Sequence, residues 1–343
     1  MIHGGDIYRN AECIDFSANI NPLGTPEMVK KAMRDSLNQV HTYPDISCEK
    51  LREKLGQFHK VKPEHVICGN GAADIIYRYV YALKPKSALV LAPCFAEYEQ
   101  ALHFVGTRVE HYVLDSNTFC LDECFLDVLT QELDVVFLCN PNNPTGVYYS
   151  ESEILELLRL LPKNVLLFLD EAYAEFAVAT DYPNLISRVQ EFPNLFINRT
   201  FSKIYGLAGL RLGYGVSSPG VIRNLWKVKP PFDINLAAQA AGVAALEDLD
   251  FVQMTREKNR EGMLTLKKAF EECKLEFIES QGNFLCIKIG KQAKELVAFL
   301  ESRGMIVRGL SNFGLPEWIR VTVGKPEENE FFIKLLKEWL NGK

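Results

Sequence analysis

The 343-residue sequence lacks the features of a secreted or membrane-spanning protein. Its nine cysteines are an odd number and form no repeated Cys-x-x-Cys pattern, which argues against a disulfide framework and against a zinc site. No apolar run approaches the roughly 20 residues that a transmembrane helix needs, and the start lacks the basic and apolar regions of a signal peptide. We therefore expect free thiols, no metal, no membrane association and a location in the reducing cytoplasm.

The chain also lacks the positive charge of a nucleic-acid-binding protein. It contains 38 Lys and Arg residues against 44 Asp and Glu residues, a formal net charge of −6, and has no local basic block. Phosphate backbones require such a cationic surface, so we expect no nucleic-acid partner. The length predicts about two domains, and the hydrophobic content of 48% is enough for substantial cores.

Short apolar runs alternate with segments of helical periodicity, which is typical of parallel strands joined by crossover helices. This pattern predicts an α/β fold with a large, mostly parallel wound sheet flanked by helices, followed by a smaller α+β domain at the C-terminal end. We predict an N-terminal segment at 1–40, a large domain at 41–230 and a small domain at 231–343. The expected strands of the large sheet are 65–68, 87–92, 108–113, 134–140, 165–170, 195–199 and 212–216.

Two motifs follow directly after predicted strands. In Asn140-Pro-Asn-Asn-Pro-Thr-Gly146 the prolines restrict the backbone, and Asn143 can extend an amide into the crevice where sheets of this kind bind ligands. A rigid turn is the alternative. In the second motif, Asp170 ends an apolar strand and Tyr173 follows. A buried carboxylate needs a cation opposite it, such as a protonated pyridine nitrogen, unless it only caps a helix.

A third motif, Asn198-Arg-Thr-Phe-Ser-Lys-Ile-Tyr-Gly206, surrounds a lysine with small polar residues. A desolvated Lys203 near other cations has a lowered pKa and becomes a nucleophilic amine that can form a Schiff base. Arg211 follows among apolar residues, where its guanidinium needs a phosphate or a carboxylate.

A glycine turn between a strand and a helix, Gly69-Asn-Gly71-Ala-Ala-Asp74, forms a possible anion site. Its third glycine is replaced by Asp74, which argues against a nicotinamide-dependent oxidoreductase. The four motifs together supply an amine for an aldehyde, a carboxylate for a pyridinium, and groups for a phosphate and a ring hydroxyl. This combination fits pyridoxal 5′-phosphate.

The ordered motifs resemble the fold-type-I, pyridoxal-phosphate-dependent aminotransferases of class I and II over nearly the whole chain. The resemblance implies that Lys203 forms the Schiff base and moves protons, that Asp170 contacts the pyridine nitrogen, and that Asn143 and Tyr173 contact the ring hydroxyl. It also implies a homodimer in which Tyr43 reaches the partner's cofactor. Phe95 would stack on the ring, and the phosphate would be bound by Gly71, Ala72, Ala73, Thr200, Ser202 and Arg211.

Two branches of this superfamily resemble the chain. Three segments are similar to L-threonine-O-3-phosphate decarboxylases of cobalamin synthesis: His3-Gly-Gly5, Asp15–Gly24 and Cys94–Tyr98. The Lys203 motif and the residues from Ile319 onward are similar to histidinol-phosphate aminotransferases, which use 2-oxoglutarate and glutamate. Both branches bind a small phosphorylated amine, so the candidate substrate residues are Arg320, Arg308, Asn283 and His3.

The bond that breaks at the substrate carbon distinguishes the two reactions, and its orientation cannot be derived from the sequence. The motif around Lys203 favours transamination, and the decarboxylase remains the alternative. A non-catalytic regulator of the same fold would need a DNA-binding domain and a basic face, for which the chain has no room.

Overall fold

The computed structural model describes residues 4–5, 12–115 and 118–342. Strands and helices alternate through most of the chain, which confirms the predicted α/β class. The strands are β1 (Ile14–Asp15), β2 (Val66–Gly69), β3 (Ser87–Ala92), β4 (Arg108–Val113), β5 (Val135–Cys139), β6 (Leu166–Asp170), β7 (Leu195–Thr200), β8 (Gly213–Ser217), β9 (Phe277–Ile278), β10 (Phe284–Lys288), β11 (Met305–Ile306), β12 (Arg308–Gly309) and β13 (Trp318–Thr322). The helices are α1 (Glu27–Ser36), α2 (Glu49–His59), α3 (Ala72–Leu83), α4 (Glu97–Phe104), α5 (Glu151–Leu160), α6 (Pro219–Val228), α7 (Leu236–Ala245), α8 (Leu249–Glu272), α9 (Ala293–Ser302) and α10 (Pro326–Asn341).

The large sheet has the strand order β2-β8-β7-β6-β5-β3-β4. Its strands pair in parallel except β8, which is antiparallel to both of its neighbours. The central strands β5 and β7 are buried along their whole length because helices cover both faces. The predicted wound sheet is therefore confirmed, and the carboxyl ends of β5, β6 and β7 lie side by side.

Local sequence determines where the helices next to these strands begin. Ser150 caps α5 by accepting a hydrogen bond from the Glu153 backbone N–H, and the Glu153 carboxylate accepts one from the Ser150 backbone. Gly71 precedes α3 with φ +93°, a conformation that favours glycine. The first backbone N–H group of α3, that of Ala72, lies beside Gly213, the first residue of β8.

A second, antiparallel sheet has the order β12-β13-β10-β9. It packs with α9, α10 and the second half of α8 around a separate core that contains Met263, Leu266 and Phe270. The first half of α8 contributes Val252 to the core of the large sheet. The long helix α8 therefore connects the two cores.

The first described residues divide between the two cores. β1 pairs in parallel with β11, and Phe16 packs against Phe332 in the core of the small sheet. By contrast, α1 packs on α7, and both helices contribute to the core of the large sheet. The predicted boundaries at 40 and 230 stay predictions. In the structure, α7 belongs to the core of the large sheet, and the chain passes from one core to the other within α8.

Among the described residues, no helix is both long and apolar enough to cross a membrane. All nine cysteines lie in described positions and are free thiols. Four of them are buried, whereas Cys120 and Cys124 are exposed. Burial raises the pKa of the Cys286 thiol to about 12, so this thiol stays protonated at neutral pH.

Candidate active site

A cavity of about 310 Å³ lies at the carboxyl ends of the central strands, between the two sheets. Its walls come from the large sheet, from β12 and β13, and from the N-terminal segment. The cavity is lined by Gly4, Ser17, Ala18, Ile20, Ala72, Ala73, Ile76, Phe95, Ala96, Tyr98, Cys139, Asn143, Asp170, Ala172, Tyr173, Thr200, Ser202, Lys203, Ala208, Arg211, Arg308, Asn312, Phe313 and Arg320.

Lys203 follows β7 and extends its amine into this cavity. Its Nζ donates a hydrogen bond to the carbonyl oxygen of Ala18 at 2.8 Å. Burial lowers the pKa of Lys203 to about 7, and the positive charges of Arg320 and Arg211 contribute in the same direction. A large fraction of this amine is therefore neutral and nucleophilic near neutral pH.

Asp170 is the last residue of β6, and its carboxylate has one oxygen available. Oδ2 accepts a hydrogen bond from the Tyr98 hydroxyl at 2.6 Å. Oδ1 is buried and has no hydrogen-bond partner among the described residues. Burial raises the pKa of Asp170 to about 6. A protonated pyridine nitrogen fits Oδ1, because it would supply both the missing hydrogen bond and a compensating positive charge.

Tyr173 and Asn143 lie on the same wall and have different partners. The Tyr173 hydroxyl accepts a hydrogen bond from Asn19 Nδ2 at 2.9 Å, and burial raises the pKa of this phenol to about 12. Oδ1 of Asn143 accepts a hydrogen bond from Arg320. The neighbouring Asn142 side-chain amide instead donates a hydrogen bond to the Pro93 carbonyl at 3.0 Å, which stabilises the turn. The motif therefore forms a rigid turn and also contributes the Asn143 amide to the cavity wall.

The N-terminus of α3 and Arg211 form a cradle with no space for extra side-chain atoms. A Cβ added at Gly71 would lie 2.4 Å from Arg211 Nη2, and one added at Gly213 would lie 2.4 Å from the backbone N of Ala72. Arg211 Nη1 donates hydrogen bonds to the Ala208 carbonyl at 3.0 Å and to Ser202 Oγ at 3.4 Å. Backbone N–H groups, a hydroxyl and a guanidinium at a helix N-terminus suit a phosphate group.

Two arginines from the small sheet complete the opposite wall. Arg308 on β12 and Arg320 on β13 are directly opposite each other in the antiparallel register, and both are buried. Arg320 Nη2 donates a hydrogen bond to the Ser17 carbonyl at 2.6 Å. Burial lowers the pKa of each guanidinium, and the charge of Arg320 lowers that of Arg308 further. Two close buried cations favour an anionic ligand in this half of the cavity.

Among the described residues, two predicted site residues, Asn283 and Tyr43, do not line the cavity. Asn283 does not line it, because its amide lies behind the N-terminal segment and donates to the Asn19 carbonyl at 3.2 Å. Tyr43 is 79% exposed and stacks on Phe232 at a ring distance of 4.5 Å, away from this chain's own cavity. His3 lies outside the described residues.

Sequence reasoning overlooked several residues that support the site. Tyr98 bonds to Asp170, Asn19 bonds to Tyr173, and Ala18 accepts from Lys203. All three occur in segments singled out only for their resemblance to other proteins. The polar side chains of Tyr98 and Asn19 were the available signal, whereas Ala18 acts through its backbone carbonyl. The partners of all three residues are distant in the sequence.

Comparisons with known proteins agree with this geometry. The family model for aminotransferase class I and II matches residues 11–336. The histidinol-phosphate aminotransferase of Caldicellulosiruptor saccharolyticus is 37% identical over 329 residues, which cover 95% of this chain and 92% of that protein. The solved structure of histidinol-phosphate aminotransferase from Sinorhizobium meliloti in complex with pyridoxal-5′-phosphate has a TM-score of 0.88 at 26% identity, covering 95% of this chain and 90% of that one.

The fold is also similar to that of an enzyme with a different reaction. The structure of L-threonine-O-3-phosphate decarboxylase from Porphyromonas gingivalis has a TM-score of 0.83 at 27% identity, covering 95% of this chain and 99% of that one. Since aminotransferases and this decarboxylase share the fold, the fold alone does not separate the two reactions.

Proposed function

Because the chain belongs to the class I and II aminotransferase family, we propose that this pyridoxal-phosphate-dependent transaminase takes its amino group from histidinol phosphate and passes it to 2-oxoglutarate. The similarity to a histidinol-phosphate aminotransferase supports histidinol phosphate as the amino donor. The acceptor, 2-oxoglutarate, is the one expected for enzymes that resemble this branch. The single observation that carries the proposal is the common cavity of Lys203, Arg308 and Arg320. It combines a neutral amine with two cations that can bind a phosphorylated amine.

The residues of the large sheet would hold the cofactor. The cradle of Gly71, Ala72 and Arg211 would bind its phosphate, with Ala73, Thr200 and Ser202 beside it, and Asp170 Oδ1 would accept a hydrogen bond from its ring nitrogen. Tyr173 and Asn143 are candidates for the ring hydroxyl, and Phe95 is a candidate for the ring face. When bound, pyridoxal 5′-phosphate supplies an electron sink that stabilises negative charge on the substrate carbon.

Lys203 is the proposed proton carrier. Its amine, with a pKa of about 7, can accept a proton at Nζ from the substrate carbon and return it to a different atom. Such a group works best when its pKa lies near the working pH, which the burial of Lys203 and its two arginine neighbours support. The Ala18 carbonyl orients Nζ while the amine is free.

The arginines would determine the position of the substrate. Arg320 already donates hydrogen bonds to Ser17 and Asn143, so its side chain is fixed before a ligand binds. A phosphate bound by Arg308 and Arg320 at one end of the substrate would direct the amine at the other end toward Lys203. The 2-oxoglutarate acceptor carries carboxylates that the same arginines can bind.

We also expect a homodimer with shared active sites. Tyr43 and Phe232 form an exposed aromatic pair, and the nearby Leu37 and Val40 are exposed as well. Exposed apolar residues close together in the chain are typical of a protein interface. In the dimer Tyr43 would reach the phosphate of the partner's cofactor.

Threonine-phosphate decarboxylation is the second candidate. It is supported by the similar decarboxylase structure and by the position of Gly4 in the cavity wall, since the Gly4 segment resembles that branch. The two reactions differ in which bond of the substrate carbon is held in the orientation for cleavage.

The test is a direct comparison of substrates. The holoenzyme is incubated with histidinol phosphate plus 2-oxoglutarate and, separately, with threonine phosphate. Glutamate formation from the first mixture supports the proposal. Release of CO₂ from threonine phosphate without glutamate formation from the first mixture would replace it with the decarboxylase.

A further inference from the structure

Tyr98 is a buried tyrosine of α4 whose hydroxyl lies below the cavity. The ring stacks on Phe137 at 5.2 Å and meets the ring of Phe95 edge-on at 5.8 Å. The side chain is fully buried, and its hydroxyl donates to Asp170 Oδ2 at 2.6 Å. Packing on these two aromatic rings therefore fixes the direction of the hydroxyl.

The groups around Asp170 come from several neighbouring strands, turns and helix α4. The side-chain amide of Asn198, opposite Asp170 on β7, favours its ionised form together with the Ala172 backbone N–H. Burial raises the pKa values of the Cys94 and Cys139 thiols, and the negative charge of Asp170 contributes in the same direction, so both stay neutral. The Tyr98 hydroxyl is likewise neutral, because burial raises its pKa. Tyr98 is therefore the hydroxyl donor that holds Oδ2.

We propose that Tyr98 is a positioning residue for the cofactor: its hydrogen bond holds Oδ2 of Asp170 so that Oδ1 remains available to the ring nitrogen. The bond has a second consequence, because a donor to a carboxylate reduces its affinity for a proton. With Tyr98 present, the proton shared between Asp170 and the ring nitrogen stays on the nitrogen. This inference rests on the cofactor of the proposed function but not on the identity of the substrate.

The test compares Tyr98→Phe with Tyr79→Phe in holoenzyme carrying ¹⁵N-labelled cofactor. Tyr79 is a matched control, since its buried hydroxyl has no hydrogen-bond partner among the described residues and its ring contacts the same Phe137. The ¹⁵N chemical shift of the ring nitrogen is followed against pH without substrate. We expect Tyr98→Phe to make Asp170 more basic and to draw the shared proton toward it, so the ¹⁵N signal should shift toward that of the unprotonated nitrogen. We also expect kcat to fall about tenfold or more, as expected for the loss of one hydrogen bond to a charged group. Tyr79→Phe should match the unmodified enzyme.

A second variant covers the case in which Tyr98→Phe does not fold. Replacement of Tyr98 by a ring-fluorinated tyrosine keeps the shape of the residue and makes its hydroxyl a stronger donor, so the ¹⁵N signal should shift toward that of the protonated nitrogen. An unchanged ¹⁵N titration in either folded variant overturns the role of Tyr98 and leaves the proposed function intact. If the unmodified protein takes up no cofactor, both proposals are wrong.

Discussion

The two halves of the cavity differ in how their charged groups are compensated. In the cofactor half, Asp170 accepts a hydrogen bond from Tyr98, and Lys203 donates one to the Ala18 carbonyl. In the substrate half, Arg320 has neutral partners, the Ser17 carbonyl and the Asn143 amide oxygen, and a second cation opposite it. The first half is thus prepared for a resident group, and the second places two guanidinium groups where an anion can bind and leave.

The amine of the cofactor half is expected to produce the largest effect. Lys203→Ala removes both the nucleophile and the proton carrier, so we expect amino-group transfer to fall by at least about a thousandfold. Single-turnover transfer to 2-oxoglutarate, followed by cofactor absorbance, measures it. Lys203→Arg is the control that keeps the positive charge, and it should be equally inactive. A Lys203→Ala enzyme that keeps a tenth of the rate would show that another group moves the proton.

The apoprotein should reveal the lowered pKa of this amine through its pH dependence. The neutral amine is the reactive form, so the rate of cofactor incorporation should rise about tenfold per pH unit below 7 and become constant above it. In Arg320→Gln the midpoint should move to higher pH, because a nearby positive charge that favours the neutral amine is removed. Stopped-flow absorbance between pH 5 and 9 measures both. A rate that still rises through pH 9 would contradict the assignment.

The arginine half should be separable from the cofactor half. Arg320→Gln removes a charge-assisted contact, so kcat/KM for histidinol phosphate should fall about ten- to a hundredfold. The cofactor spectrum and the dissociation constant of the cofactor should change little, since the cradle around Gly71 is intact. Loss of the cofactor in this variant would contradict the assignment, because it would show that Arg320 holds the cofactor and not the substrate.

The partner's contribution should give the smallest effect. Tyr43→Phe removes one hydroxyl at an exposed position, and we expect the cofactor to bind about two- to tenfold more weakly, the value of one neutral hydrogen bond. Equilibrium dialysis measures the change, and sedimentation checks whether the variant and the unmodified protein form the proposed dimer equally. Tyr81→Phe, at another exposed tyrosine, should have no effect. An unchanged affinity in Tyr43→Phe would remove this residue from the site.

The same contrast explains what could be predicted from the sequence. Asp170 and Lys203 directly follow apolar strands, so the pattern that predicts the sheet also predicts that their side chains meet at one edge. The Lys203 partner Ala18 could not be predicted this way. It reaches the cavity because β1 pairs with β11, and no local pattern specifies the pairing of Ile14 with Met305.

Asn283 and α7 are two further cases in which local sequence did not predict the packing partner. Asn283 was expected to line the substrate site, but its amide donates a hydrogen bond to the Asn19 carbonyl in the N-terminal segment. Helix α7 lies within the range 231–343 that was predicted for the small domain. Its assignment to a domain depended on packing against α1, which periodicity does not reveal.

The claim that the substrate half is an anion site is tested most directly by the ratio of kcat/KM for histidinol phosphate to that for histidinol. We predict a ratio of at least about a hundred in the unmodified enzyme. In the Arg308→Gln/Arg320→Gln double variant with its cofactor still bound, the ratio should fall close to one. A large ratio that persists in the double variant would contradict the account, because the phosphate would then be recognised elsewhere.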